Sequence, residues 1–574
     1  MKVSQAQDLR VEPFSRRGSY LSIRRMDAKS FQHEDRNGVF IRQCHGTRFW
    51  DPLVAGITVD GTVPESAWTV DCLRLYPAGK KESAAYVEIV FDGLKALRFR
   101  GQGCSLGLEF PTVGFSSMYP SPHGGWEVNA RANRAKIQLS GLRGELSAQT
   151  DWLGEESSVM KIQMVAGPKE GDFELGFDFY HSTWIPRAFR PWADLRQEVD
   201  KEFQEFLAAF PPVESDWEES RNRAAYVNWS AVVAPHGHFR REAMLMSKVF
   251  MSNVWSWDHA FNAMAHFESH PQLAWDQMLL QADRQNEHGA FPDAQNDVHE
   301  HFNHCKPPIH GWAVSRMRRR RPEFFTEARI RETLAWLAPW CRWWLNHRLW
   351  KARGLPYYLH GNDSGWDNST FFRRGVPLLG PDLPPFLILQ CRELARLHEL
   401  LNEPVDAAWW NQEADALKDK LLQHLWDGER FIALRMPEGE EMREDTLIET
   451  MPLVLGEELP AEIRKKVVGR LRRYLTEHGL ATEYPESEYY RSSGYWRGPI
   501  WAPSTMLLID GLARGGERTL AEEIKKRFLN LCRREGFAEN YDALEGKALC
   551  DPAYTWTASV FLDLLHGDLG QVWG

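Results

Sequence analysis

The feature that most constrains this chain is a change of hydrophobic period near residue 191. Before it, apolar residues alternate in short runs, as in Ser19-Tyr-Leu-Ser-Ile-Arg24, Val39-Phe-Ile-Arg42, Ala85-Tyr-Val-Glu-Ile-Val-Phe91, Lys136-Ile-Gln-Leu139 and Ser158-Val-Met-Lys-Ile-Gln-Met164. Period-two runs split by glycine-rich breaks such as Gly101-Gln-Gly103 and Gly124-Gly125 predict strands of an antiparallel β-sandwich over residues 1–190. From Pro191 the spacing becomes helical, with Leu195, Val199, Phe203, Phe206 and Leu207 on one face and Pro211-Pro212 as a stop. We expect a linker helix over 191–214.

Beyond residue 215 the pattern predicts helices at 216–230, 253–267, 270–286, 309–320, 323–350, 382–401, 406–426, 444–455, 459–477, 500–514, 518–534 and 554–566. Helices this apolar must pack on one another. Six helical hairpins in residues 215–574 match the size of an (α/α)6 barrel, so the expected fold class is multidomain β plus α. The longest gaps between these helices, 287–308, 351–380, 479–499 and 536–553, hold the unusual aromatic and acidic motifs. Loops on a rigid scaffold are where chemistry concentrates.

Composition narrows the function. A net charge of −10 over 574 residues excludes a general nucleic-acid binder, which needs a basic field to neutralise phosphates. The scattered cysteines 44, 72, 104, 305, 341, 391, 532 and 550 form no C-x-x-C pair and suit reduced thiols in a cytoplasmic protein. The first ten residues lack the apolar core of a signal peptide, and no run approaches 18 apolar residues, so we expect no membrane span. Tryptophan is the outlier: six precede residue 200 and nineteen follow it, 25 in all.

Five segments carry candidate chemistry. In Trp255-Ser-Trp-Asp258, at a helix start, a ring can lie under a sugar and a carboxylate can accept from two hydroxyls; the macrodipole alone would also favour an acid there. Lys306-Pro-Pro308 leads into a helix as good N-terminal chemistry. In Gly361-Asn-Asp-Ser-Gly-Trp-Asp367, Asp367 follows Trp366, and an indole desolvates a carboxyl and favours its protonated form, as a general acid requires; Asp363 is its rival. Tyr495-Trp-Arg-Gly-Pro-Ile-Trp501 offers Arg497 between rings, and Glu539 in Glu539-Asn-Tyr541 is placed to activate water, with Glu535, Asp542 and Glu545 as competitors. Paired carboxylates do acid/base work at a glycosidic bond, and flat rings suit sugar faces. The run from Arg316 to Arg321 reads as a solvated helix end, and no nucleotide loop is present. His236-Gly-His238 is too short for a metal site by itself, and Asp293 to Asp297 fits no calcium-loop spacing. We expect no cofactor and no metal.

At Trp255-Ser-Trp-Asp258, Ser364-Gly-Trp-Asp367, Tyr495 to Trp501 and Glu539-Asn-Tyr541 the chain resembles the inverting glycoside hydrolases with (α/α)6 barrels, chiefly family 63. That family includes processing α-glucosidases and bacterial mannosylglycerate and glucosylglycerate hydrolases; trehalases of family 37 are near relatives. The resemblance covers about residues 235–570 and rests on the order of the four motifs. It implies that Asp367 is the general acid, that Glu539 is the general base, and that Trp257, Asp258, Trp366, Arg497 and Trp501 line the −1 sugar pocket. Trp255, Lys306, Tyr495, Trp496 and Tyr541 complete the expected binding set. Relatives often carry Gln-Pro-Pro where this chain has Lys306-Pro-Pro308, a departure that would suit an anionic aglycone.

The expected activity is inverting, exo-acting hydrolysis of a terminal α-glucosidic bond in a small oligosaccharide or glucoside. The alternatives are an α-mannosidase or glycerate-glycoside hydrolase of the same fold, or a non-catalytic carbohydrate-binding protein. The expected partner is a small carbohydrate substrate, with no nucleic acid and no membrane.

Overall fold

The computed structural model describes residues 8–26, 37–47, 52–81, 83–168 and 171–567. The expectation about a leader in the first residues lies outside the described ones. The chain divides into two compact units. One comprises Met1–Ala209, Ala225–His236 and Ser247–Ser252; the other comprises Phe210–Ala224, Gly237–Met246 and Asn253–Gly574.

In the first unit, seven strands pair antiparallel in the order Phe14–Ser15, Leu21–Met26, Gly38–Gln43, Val54–Val59, Leu106–Glu109, Met160–Val165, Glu145–Thr150. Eight more run Ser117–Pro120, Trp126–Ala130, Ala135–Arg143, Asp172–Tyr180, Ala96–Gln102, Tyr86–Phe91, Cys72–Tyr76, Glu65–Thr69. Period two is plain in Met160–Val165, where Met160, Ile162 and Met164 are buried and Lys161 and Gln163 are exposed. The Phe14 ring of the first sheet packs 5.9 Å from Trp68 and 5.5 Å from Phe91 of the second. Asp172–Tyr180 carries no such pattern because its acids are buried too. Glu174 pairs with Arg98, and Asp178 lies 2.8 Å from Arg187.

The helix α1 (Trp192–Ala208) corrects the expected linker. Its predicted apolar face is buried, and Trp192 and Leu195 pack on Cys72 and Val90 of the eight-stranded sheet. It therefore belongs to the first unit. The chain passes from the first unit to the second at Ala209/Phe210, inside the span expected from periodicity, and the following helix, α2 (Ser215–Ala231), gives residues 215–224 to the second unit and the remainder to the first.

The second unit contains α3 (Asp258–His266), α4 (Pro271–Ala282), α5 (His310–Arg320), α6 (Glu327–His347), α7 (Gly361–Ser364), α8 (Leu383–Leu400), α9 (Pro404–Leu425), α10 (Ala461–Leu471), α11 (Ala502–Arg514), α12 (Arg518–Glu535) and α13 (Thr555–His566). Contacts run from α3 to α5, α8, the 3-10 stretch Leu447–Glu458, α11, α13 and back to α3, closing a ring of six. Outside it, α4 packs on α3, α6 and α9 on α8, α10 on Leu447–Glu458, and α12 on α11. Six inner elements with five outer helices around them give the layered arrangement of an (α/α)6 barrel. The 3-10 stretch replaces the expected helix at 444–455 because Pro452 lies inside it and Gly456 turns left-handed (φ 59°). Gly511 lets α11 approach that stretch; a Cβ there would lie 2.3 Å from the Leu453 carbonyl oxygen.

The arginine run is not a solvated end. Arg316 is buried between Asp510 (2.7 Å) and Asp563 (2.9 Å), Arg320 also pairs with Asp563, and Arg318 lies 2.7 Å from Glu393. Asp510 further accepts from Trp312 Nε1 at 2.8 Å. This network ties α5, α11 and α13 together near their C-terminal ends. Removing one partner of a buried pair strands the other charge, which costs about 3–5 kcal/mol. Asp510→Ala is expected to lower stability by that amount in urea unfolding, whereas Lys201→Ala, at an exposed pair on α1, should change it by less than about 1 kcal/mol.

Candidate active site

The predicted site residues gather where α3, α5, α11 and α13 begin. Asp258 is the first residue of α3, Lys306 lies four residues before α5, Trp501 immediately precedes α11, and Asp551 and Trp556 bracket the start of α13. Short strand pairings hold the loops in place. Val254–Trp255 pairs with Ala294–Gln295, and Ser256 N–H donates to the Asp293 carbonyl at 3.0 Å, which brings Asp293 beside the Trp-Ser-Trp-Asp turn. Asn540–Tyr541 pairs with Ala548–Leu549, and Glu539 N–H donates to the Asp551 carbonyl at 2.7 Å. Ile500 bridges Tyr541, so the Tyr495–Trp501 loop adjoins Glu539.

Asp367 sits in a loop whose form its glycines dictate. Gly365 ends α7 in the left-handed region (φ 74°), and a Cβ on it would fall 2.5 Å from the Trp257 ring. Asn368 Nδ2 donates to the Gly494 carbonyl (3.0 Å) and its Oδ1 accepts from Trp496 N–H (2.9 Å), fastening this loop to the next. The Asp367 side chain keeps 29% of its surface exposed. Its rival Asp363 is buried and saturated, accepting from Cys305 N–H (3.1 Å), Leu359 N–H (2.8 Å) and Arg348 Nη1 (2.9 Å). It braces the loop.

Lys306 is the charge at the centre. Its Nζ donates to the Asn362 carbonyl at 2.7 Å and lies 3.3 Å from Asp293 and 3.8 Å from Asp367. Burial pulls its pKa down, but Asp367, Asp293 and Asp258 outweigh that and hold the ammonium above its ordinary value. Burial pushes Asp258 up to about 8 against the pull of Lys306, and it raises Asp293 as well.

Glu539 is buried. Its Oε1 accepts from Tyr495 OH at 2.9 Å and its Oε2 from Asp551 N–H at 3.4 Å. Burial, then the Asp551 charge, lift its pKa to about 8; the Tyr495 hydroxyl works the other way, and the Asp367 charge adds to the rise. Tyr495 delivers its hydroxyl from a left-handed backbone (φ 63°), and Cys550 shares that conformation. Such strain in a bulky residue persists only where the surroundings impose it. The competitors lie elsewhere: Glu535 pairs with Arg534, Asp542 accepts from Leu544 and Glu545 N–H in a turn, and Glu545 is exposed.

The tryptophans form one packed wall. Trp496 and Trp501 stack 4.0 Å apart and nearly parallel, Trp366 lies 4.8 Å from Trp496, and Trp257 and Trp501 both meet Trp556 edge-on. Trp257, Trp366, Trp496 and Trp501 are at most 2% exposed, whereas Trp255 is only half-buried. Within this region Asp258 Oδ2, Trp366 Nε1 and Arg497 Nε are buried without a hydrogen-bond partner. Tyr541 does not join the site. Its hydroxyl donates to the Gly536 carbonyl (2.6 Å) beside Phe528, because the alternation of Asn540–Tyr541 turns it toward α12. Sequence reasoning did not assign Asp293, Asp551 or Tyr554. Tyr554 is buried, and its pKa is raised by burial first and then by the charges of Glu539 and Asp258.

The ionisation of Glu539 can be followed by infrared difference titration, with a midpoint expected near 8. Asp551→Asn removes a like charge and should move the midpoint down; Tyr495→Phe removes a donor to the carboxylate and should move it up.

Comparison with known proteins adds a family. Residues 251–557 match the model of the mannosylglycerate hydrolase MGH1-like glycoside hydrolase domain. The mannosylglycerate hydrolase of Rubrobacter radiotolerans is 25% identical over 406 residues, covering 54% of this chain and 90% of its own. The structure of the GH63 mannosylglycerate hydrolase from Thermus thermophilus in complex with glucose overlays on 60% of this chain and 98% of its own, with TM-score 0.53 and 20% identity. A bacterial glucoamylase complexed with acarbose shares the fold over 99% of this chain and 95% of its own, with TM-score 0.65 and 11% identity.

Proposed function

Because the chain belongs to the MGH1-like glycoside hydrolases, we propose that it cleaves a terminal α-glycosidic bond of a small glycoside with inversion, and that the sugar is an α-glucoside. Asp367 gives its proton to the glycosidic oxygen as the C1–O bond breaks. Glu539 takes a proton from the water that attacks C1 from the opposite face, and each turnover returns one proton to Asp367. The observation that carries this reading is the pairing itself. Two carboxylates from separate loops feel each other's charge beside a packed group of tryptophans. Asp258 Oδ2, Trp366 Nε1 and Arg497 Nε are the unpaired groups that sugar hydroxyls would satisfy.

The aglycone follows from charge. Lys306 is spent on Asn362, Asp293 and Asp367, and carboxylates outnumber cations around it. That favours a neutral leaving group and argues against Lys306 as the receptor for an anion. A glycerate glycoside is the second reading, favoured by the family that residues 251–557 match.

We also read the first unit as a β-sandwich, which its two facing sheets support. We place the protein in the cytoplasm, a reading supported by eight unbridged cysteines. No helix among the described residues is long and apolar enough to cross a membrane.

Proton NMR of fresh digests of α-glucosides, α-mannosides, glucosylglycerate and mannosylglycerate is the test. Early β-glucose from an uncharged α-glucoside is the expected result. Early α-anomer would overturn inversion, and turnover of glycerate glycosides alone would establish the second reading. Asp367→Asn and Glu539→Gln should each lower kcat by about 10²–10⁴-fold. A base that ionises near 8 must be deprotonated to act, so kcat/KM should rise with pH through neutrality toward about 8.

A further inference from the structure

The first unit holds a second cluster that the glycosidase reading does not use. His45, His181 and His236 come from three distant segments: a turn after Gly38–Gln43, the residue after Asp172–Tyr180, and the stretch after α2. Each presents a ring nitrogen, and the three nitrogens lie within 4.8 Å of one another. We propose that these histidines form a transition-metal site, with Zn²⁺ the ion that suits it best.

Ring placement supports this. The centroids are 5.0 Å apart for His45–His181, 4.6 Å for His45–His236 and 5.5 Å for His181–His236. An imidazole bound at about 2.0–2.1 Å puts its centroid about 3.2 Å from the ion, so two tetrahedral ligands have centroids about 5.2 Å apart. Ligating nitrogens would then be about 3.4 Å apart, within reach of small ring rotations.

Two of the rings are braced. His45 lies parallel to Tyr20, 3.8 Å away, and to Phe179, 5.8 Å away. His181 Nδ1 is 3.3 Å from the Arg134 carbonyl, the partner that fixes a metal-binding imidazole with its other nitrogen free to ligate. The His236 segment is held too: Tyr20 OH donates to the Ala234 carbonyl at 3.0 Å, and Ala234 N–H donates to the Gly18 carbonyl at 3.0 Å. A set of imidazoles alone suits Zn²⁺, Cu²⁺ or Ni²⁺ and is poor for Ca²⁺ or Mg²⁺, which take oxygen. Three protein ligands leave a fourth tetrahedral position for water. Such an ion would pin the ends of two sheets to the segment after α2 within one unit.

The test is calorimetric titration of Zn²⁺ into untagged, chelator-treated full-length chain, with Co²⁺ absorption reporting geometry. One saturable site per chain and a tetrahedral Co²⁺ spectrum are expected. His181 is exposed, so H181A should fold as the native chain does, and its Zn²⁺ affinity should fall at least about tenfold. Zn²⁺ should raise the Tm of the native chain and not that of H181A. His398, Glu403 and Asp406 form the other possible ligand group among the described residues, so H398A serves as control and should bind normally. Absence of saturable binding, equal affinity in H181A, or loss of binding in H398A instead would overturn the proposal.

Discussion

The common direction of the inner helices is the constraint on which the second unit depends. The helices α3, α5, α11 and α13 start at the candidate site, and three of them carry the Arg316–Asp510–Asp563 network toward their other ends. Their dipoles therefore add. The positive ends face Asp258, Asp293, Asp367, Glu539 and Asp551, while the arginines of the last turn of α5 lie at the negative end. Even so, so many acids in a dry space would repel one another. The buried Lys306 ammonium is what lets three of them share it.

Position within that field is set by the backbone. Two-residue strand pairings bring Asp293 to Trp255 and Asp551 to Glu539, and Asn368 links one loop to the next through both ends of its amide. The strained Tyr495 backbone accepts a hydrogen bond from Trp501 Nε1 and presents its hydroxyl to Glu539. Conformations of this kind cost on the order of 1–3 kcal/mol each, and the surrounding packing supplies it.

Much of this was legible in the chain, and the limits have physical causes. Helices driven by one apolar face, such as α1 and α12, announce themselves through spacing alone. The strand Asp172–Tyr180 did not, because buried ion pairs replace the polar face that alternation needs. The same blindness made the arginine run look solvated. Asp367 and Asp363 were inseparable in sequence; only the donors converging on Asp363 tell them apart. Which side the Tyr541 ring takes is decided by a single step of strand alternation, which sequence alone leaves open. Asp293, Asp551 and Tyr554 depend on pairings between residues far apart in the chain, which no local pattern encodes. His45 and His181 join His236 for that same reason.

The enclosed tryptophans have a consequence for how such a protein can diverge. Trp257, Trp366 and Trp501 all lean on Trp496 with almost no free surface, so replacing any one leaves a void in the shared packing. The wall is inherited or lost as a block. A lineage that acquires a new sugar must therefore do so at positions that bear less of the packing, such as the half-buried Trp255 or the residue at 306, whose ammonium offsets the acids beside it. The motifs that make the ancestry readable are, on this view, the masonry, and the history of substrate choice is written in the gaps between them.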